Sequence, residues 1–163
     1  MKTLFLLRHA KAIPSEPGGS DFDRTLTEQG SRDAEMVGQY LGGRQLKIDL
    51  VISSPAKRAR ETTELVLHGA RLAVDVRNDP RIYDATSQDL LAVISESDPQ
   101  LQSIMVVGHN PGMEDLLRSL TGRSESMSTA ALAEIDIDAD GWSNVIAGDC
   151  TLKRIVTARD CCS

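Results

Sequence analysis

The residues of this chain that could do chemistry fall in three short stretches. Thr3-Leu4-Phe5-Leu6-Leu7 runs directly into Arg8-His9. Ile48-Asp49-Leu50-Val51-Ile52-Ser53 runs into Ser54-Pro55, with Arg58 just beyond. Ser103-Ile104-Met105-Val106-Val107-Gly108 runs into His109-Asn110-Pro111-Gly112. In each case an apolar run too short for a helix reads as a buried strand that ends in polar residues. A guanidinium is always charged and presents forked donors, and an imidazole can act as a nucleophile. Side by side at the end of a strand, the two suggest an anion that is held and then attacked. The chain has three histidines. Two follow strands directly; His68, before Gly69 near the end of a helix, reads as a surface residue.

Two arginines and two histidines without a metal suit phosphoryl transfer through a phosphohistidine. Charge spread over the equatorial oxygens of the transferring group must be met by fixed donors, and Arg8 and Arg58 can supply them. One imidazole, neutral and oriented, attacks phosphorus. The other, protonated, donates to a phosphoryl oxygen, and water hydrolyses the phosphoenzyme. A metal site built from His9, His109 and carboxylates is disfavoured: the arginines would repel a cation, and no HxH or HExxH spacing exists.

Positioning these stretches requires the rest of the chain, 163 residues with room for a real core. It is 40% hydrophobic and only 3% aromatic, so aliphatic side chains must fill that core. The net charge of −6 argues against broad nucleic-acid binding, which needs a positive footprint. Cys150, Cys161 and Cys162 show no CxxC spacing, so neither a disulfide framework nor a zinc ribbon follows. A reducing cytoplasm is the expected setting. Met1 to Leu7 briefly resembles a signal peptide, but Arg8 cuts the apolar stretch short. No stretch is long enough to span a membrane.

Between the stretches, periodicity supplies the connections. Ala10 to Asp23, with Pro14, Pro17, Gly18 and Gly19, reads as a loop beside the site. Thr25-Leu26-Thr27-Glu28 offers two helix N-caps, Thr25 and Glu28 having capping-box spacing. Ala34, Val37, Tyr40 and Leu41 continue that helix to Gly42-Gly43. Ser54-Pro55 predicts a cap and first turn for a second helix carrying Ala59, Thr63 and Val66 inward. Ala73 to Arg77 alternates as a strand, and Ser87 to Glu96 is a helix. Asn110 and Pro111 predict the start of another, ending at Thr121-Gly122. Ala131 to Ile137 and Trp142 to Ala147 predict an antiparallel hairpin turning at Asp138 to Gly141. The expectation is one domain over residues 1–157, with a loose tail over 158–163. Strands alternating with helices predict an α/β fold, a three-layer α/β/α sandwich with a mainly parallel sheet. Parallel strands bring the three polar ends to one sheet edge, where ligands bind, and two of those ends also open helices that favour an anion.

Leu7-Arg8-His9-Ala10 resembles the Arg-His-Gly signature of the histidine phosphatase (phosphoglycerate-mutase-like) superfamily, in an Arg-His-Ala form. The resemblance continues through Arg24-Thr25-Leu26-Thr27-Glu28-Gln29-Gly30, Ser53-Ser54-Pro55-Ala56-Lys57-Arg58-Ala59-Arg60-Glu61-Thr62 and Val107-Gly108-His109-Asn110-Pro111-Gly112. Each piece is weak alone; four in order and register, over nearly the whole chain, are specific. The short length and the Gly-His-Asn-Pro-Gly segment are similar to the SixA-type phosphohistidine phosphatases. The resemblance implies His9 as nucleophile, with Arg8, Arg58 and His109 forming the phosphate pocket, and no metal or cofactor. The family often carries a carboxylate after the third strand as proton donor. Asp84 is the candidate here, and a surface carboxylate is the equally weighted alternative. Asn110 reads as a cap and pocket wall, Arg24 as a salt bridge bracing the loop, Arg60 and Lys57 as solvated, and Trp142 as packing.

Three functions follow in order. The first is a metal-independent phosphatase acting on phosphohistidine in a partner protein, because the short segment after the third strand leaves the pocket uncapped. The second is a small-molecule phosphomonoesterase, a mutase being disfavoured because it needs an enclosed pocket. The third is a non-catalytic phosphate-binding module. The expected protein is monomeric and cytoplasmic, with neither nucleic acid nor membrane as partner.

Overall fold

The apolar run at the front of the chain forms β1 (Lys2–Arg8) at the heart of the molecule. A computed structural model describes residues 1–161; Cys162 and Ser163 lie outside the described residues. The elements then follow as α1 (Glu28–Gly43), β2 (Leu50–Ser53), α2 (Lys57–Ala70), β3 (Asp75–Asn78), α3 (Ser87–Ser95), β4 (Ser103–Gly108), α4 (Gly112–Thr121), β5 (Leu132–Ile137), β6 (Thr151–Val156) and α5 (Ala158–Cys161). The sheet has six strands in the order β3-β2-β4-β1-β5-β6. The first four in that order run parallel; β5 pairs antiparallel with β1, and β6, antiparallel to β5, runs in the direction of the first four. This is the mainly parallel three-layer architecture that the sequence predicts.

Successive side chains of a strand point to opposite faces, and β1 is apolar at both. Leu4 and Leu6 pack with Val93, Leu116 and Leu120 of α3 and α4. Phe5 and Leu7 pack with Val37, Leu41 and Val66 of α1 and α2. Helices on both faces explain why β1 and β4 are continuous apolar runs rather than alternating ones. The route from β1 through β2 to β3 places α1 and α2 on one face. The return through α3 to β4 reverses direction, and a fixed crossover hand then puts α3 on the other face, where α4 packs beside it. β4 sits at the reversal, between β1 and β2, where the strand ends open a crevice.

Glycines let α1 and α2 meet at backbone contact. A Cβ on Gly38 would lie 2.2 Å from the Val66 carbonyl oxygen, and one on Gly69 would lie 2.4 Å from that of Glu35. Among the described residues no helix is long and apolar enough to cross a membrane.

Several local expectations are corrected. The partner of β5 is β6, not residues 142–147. Trp142 opens a 3-10 turn (Trp142–Asn144) and is only 1% exposed. Its indole N–H donates to the Leu101 carbonyl at 2.9 Å, so the ring fills the core and its segment cannot run along a sheet edge. Thr27, not Thr25, caps α1, accepting from the Gly30 N–H. Thr25 instead donates its hydroxyl to Glu61 at 2.6 Å. α2 begins at Lys57, after Ser54 and Pro55, and α4 begins at Gly112 without a side-chain cap from Asn110. Residues 158–161, read as loose, form the helical turn α5, with Ala158 buried.

Candidate active site

The three polar strand ends lie level. Arg8 pairs with Gly108 across β1 and β4, and Ser53 pairs with Val107 across β2 and β4. The ladder continues one residue further, the His9 N–H donating to Gly108 at 3.0 Å and the Ser54 N–H to Val107 at 2.9 Å. His9, Ser54 and His109 are therefore set by backbone pairing rather than by loops.

His9 is 8% exposed. Its Nδ1 lies 2.7 Å from the Ala10 carbonyl oxygen. A carbonyl only accepts, so Nδ1 carries the ring proton and Nε2 keeps its lone pair. The Ala10 N–H donates to Thr62 Oγ1 at 3.0 Å, and Thr62 donates to the Arg58 carbonyl at 2.7 Å. This ties the His9 segment to the turn of α2 that carries Arg58. Burial pushes the His9 pKa down to about 4; the Ala10 hydrogen bond opposes this, and Arg58, Arg8 and Arg24 add to it. The ring is neutral at ordinary pH.

His109 lies with its ring centroid 5.1 Å from that of His9 and 5.6 Å, edge-on, from that of Tyr83. Its Nε2 is 2.8 Å from Ser54 Oγ. Burial first, then His9 and Arg58, lower its pKa to about 3. With no anion bound, the ring is held in its neutral form, whose remaining N–H can still donate.

Arg58 is 6% exposed. Its guanidinium donates to the Asp21 backbone carbonyl at 2.7 Å and to the Asp21 carboxylate at 3.2 Å. Arg8 donates to the Met127 carbonyl at 3.0 Å, which also accepts from the Asn110 amide at 2.9 Å. The Met127 N–H in turn donates to Glu114 at 2.7 Å. Asn110 is therefore a brace on Met127 rather than a helix cap. Arg8 Nε, Arg58 Nε and His109 Nδ1 are buried with no hydrogen-bond partner among the described residues. The two arginine Nε atoms are donors, and Asn110 Oδ1 beside them is an acceptor likewise unpaired among the described residues. Buried donors without partners are costly, and two at one sheet edge suit an anion that would bond them.

A cleft of about 240 Å³ opens here, lined by Asp21, Arg58, Tyr83, Asp84, His109 and Asn110. Asp84 stands exposed on its rim with φ of 56°. Asp21 is ionised, its pKa lowered to about 2 by the Tyr83 hydroxyl first and by Arg24 and Arg58 after it. Arg24 bonds Asp21 at 3.1 Å and the Ile13 carbonyl at 2.8 Å, bracing the loop as its sequence position suggests. Arg60 is exposed and turns back to the Pro55 carbonyl. A larger surface hollow of about 690 Å³ beside α1 and α5 shares no lining residue with this cleft. Among the described residues no group of three or more His, Cys, Asp or Glu is placed to hold a metal ion. Sequence reasoning did not single out Asp21, Tyr83 or Thr62 for the site. Thr62 lay inside a quoted motif, but Asp21 sits in a loop with no periodic signal.

Residues 4–87 match the family model of the histidine phosphatase superfamily, branch 1. The chain belongs to the histidine phosphatase superfamily. It is 30% identical over 155 residues to a chloroplastic protein of Arabidopsis thaliana, spanning 90% of this chain and 71% of that one. It is 26% identical over 156 residues to the phosphohistidine phosphatase SixA of Escherichia coli, spanning 92% of this chain and 96% of the relative. Among solved structures, a candidate SixA phosphohistidine phosphatase from Agrobacterium tumefaciens superposes with a TM-score of 0.84 at 31% identity, covering 96% of this chain and 97% of that chain. This superfamily member is a phosphatase with a SixA-like fold.

Proposed function

We propose that this phosphatase removes phosphate from phosphohistidine in a partner protein, through a phosphoenzyme on His9. The observation that carries the reading is the hydrogen bond from His9 Nδ1 to the Ala10 carbonyl at 2.7 Å, which leaves Nε2 as a neutral, aimed nucleophile. Nε2 attacks phosphorus, and the P–N bond of the substrate breaks. The departing imidazole nitrogen takes a proton from water or from Asp84 on the rim. Arg8, Arg58 and the neutral His109 bond the transferring oxygens as charge builds on them. Water then attacks phospho-His9, releasing inorganic phosphate and regenerating the neutral ring.

Support for a protein substrate comes from the open cleft. Between β3 and β4 the chain forms only the 3-10 turn Pro80–Ile82 and α3, without a capping insertion. A side chain projecting from another protein can reach the strand ends. A phosphoramidate leaving group also demands little of an acid, in keeping with an exposed Asp84. The name of the Escherichia coli relative points the same way.

The test is intact-mass detection of a trapped phosphoenzyme. Protein is mixed with a phosphohistidine-bearing protein in the presence of chelator and quenched at alkaline pH. One added phosphate is expected in the parent and none in His9→Ala. Efficient hydrolysis of small phosphate esters, with phosphohistidine protein left untouched, would replace the substrate assignment. No adduct and no turnover with any phosphate compound would leave a binding module.

A further inference from the structure

We propose that Ser54 is a positioning residue that fixes which nitrogen of His109 carries the ring proton, and so turns that ring into a hydrogen-bond donor toward the bound phosphoryl group. The proposal rests on the assignment of His109 to the phosphate pocket made above.

The argument is an accounting of donors and acceptors. Ser54 is fully buried. Its Oγ accepts the Ala56 N–H at 3.2 Å and lies 2.8 Å from His109 Nε2. The hydroxyl has one proton to place, and among the described residues His109 Nε2 is the one acceptor bonded to it. Two arrangements are possible. If His109 Nε2 carries the proton and donates to Ser54, the serine proton has no acceptor and His109 Nδ1 is left with an unpaired lone pair. If instead Ser54 donates to Nε2, both serine functions are satisfied and the ring proton moves to Nδ1. The second arrangement leaves one buried group unpaired rather than two. That group is an N–H, in the same company as the unpaired Arg8 Nε and Arg58 Nε. Asn110 Oδ1 is an unpaired acceptor in the same cleft, so a third donor at His109 Nδ1 tips the balance toward an anion, whereas a lone pair there would leave two donors against two acceptors.

The backbone holds the pair in place. Ser54 N–H donates to Val107, two residues before His109, and His109 follows β4 directly. The distance between Oγ and the ring is therefore set by β2–β4 pairing. The groups facing His109 are His9, Arg58, Arg8 and Asp21, with the Tyr83 ring edge-on. Burial first, then His9 and the two arginines, keep the ring neutral, so its tautomer decides whether Nδ1 donates. A serine read from sequence as a helix cap is thereby assigned to the chemistry.

The decisive measurement is the ring-nitrogen NMR spectrum of protein labelled with ¹⁵N-histidine, near neutral pH, the His109 signals being assigned by comparison with His109→Gln. The expected result is a pyrrole-type Nδ1 and a pyridine-type Nε2 in the parent. In Ser54→Ala the proton should redistribute toward Nε2, with kcat/KM down roughly tenfold, the scale of one lost hydrogen bond. Ser54→Thr should restore both signals and rate. A parent ring protonated on Nε2 overturns the proposal without any variant. So does a tautomer unmoved in folded Ser54→Ala. The expected tautomer, together with full turnover in His109→Gln, would overturn the placement of His109 in the active site and leave the tautomer assignment standing.

Discussion

Arg58 is held by Asp21 twice, through the backbone carbonyl at 2.7 Å and through the carboxylate at 3.2 Å. The cation assigned to a phosphoryl group is thus already paired to an anion of its own chain, across 37 residues of sequence. The Tyr83 hydroxyl donates to the same carboxylate at 2.6 Å, and Arg24 braces it from the loop. The pairing keeps the guanidinium fixed in the cleft wall, and it also sets a negative charge against any incoming phosphate.

Asp21→Asn should separate these effects. The amide oxygen can still accept from Tyr83, and the backbone carbonyl still holds Arg58, but the competing charge is gone. Inorganic phosphate should bind about threefold to tenfold more tightly, the range of a partly screened charge. Inhibition by phosphate measures it. Weaker binding would mean that the carboxylate chiefly aims the guanidinium. The stability effect should be small, because the Asp21 side chain is 50% exposed and solvent-screened. Its depressed pKa contributes stability above the unfolded carboxylate value that is lost as pH falls toward about 2.

The pH profile should carry the mark of a buried nucleophile. His9 must be neutral to attack, and burial lowers its pKa to about 4. kcat/KM should therefore hold as pH falls through the ordinary histidine range and decline only near 4, with burial, more than the arginines, as the main cause. An acid limb at the ordinary histidine value would contradict this. The same shift makes the folded state less stable in acid. The unfolded ring takes up a proton below about 6.5 while the folded ring does not. Stability should fall as pH drops from about 6.5 toward 4, and His9→Gln should flatten part of that slope in thermal melts.

Two arginines on one helix should behave oppositely. Arg58 lines the cleft, whereas Arg60 is exposed and bonds the Pro55 carbonyl. Arg58→Ala should cost about 100-fold or more in kcat/KM, the scale of removing a preorganised donor from a charge-building centre. Arg58→Lys should recover little, since an ammonium cannot reproduce the fork. Arg60→Ala should change kcat/KM less than about twofold. Similar losses at both positions would move the phosphate contact away from Arg58.

The strand ends were legible because each is a local signal. An apolar run that stops at Arg-His or Gly-His marks a strand and its end within ten residues, and parallel strands do the rest. The family resemblance needed these ends together with Arg24 to Gly30, in order along the chain. What failed was wherever a distant partner outbid a local preference. Ser54-Pro55 is a good cap dipeptide, and the Ser54 oxygen does accept the Ala56 N–H, but it also meets His109, 55 residues away, and α2 starts only at Lys57. Trp142 sits where alternation suggests a strand, yet its indole is needed in the core. Asp21 lies in an aperiodic loop, and nothing near it in sequence names Arg58 or Tyr83 as its partner.

Thr62 joins fold to chemistry, and its replacement tests that link. Its hydroxyl accepts from the Ala10 N–H and donates to the Arg58 carbonyl. Val has nearly the same shape, so Thr62→Val removes the hydroxyl with little change in packing. The Ala10 N–H, next to His9 in a buried segment, then has no partner, at a cost of about 1–3 kcal/mol. Chemical denaturation should show that loss. The Ala10 peptide also supplies the carbonyl that holds the His9 proton on Nδ1. When that residue loosens, the nucleophile loses its aim rather than the pocket its charge, because Arg8 and Arg58 keep their other contacts. kcat should therefore fall more than KM rises. A rise in KM at unchanged kcat would place Thr62 with substrate binding instead of with the orientation of His9.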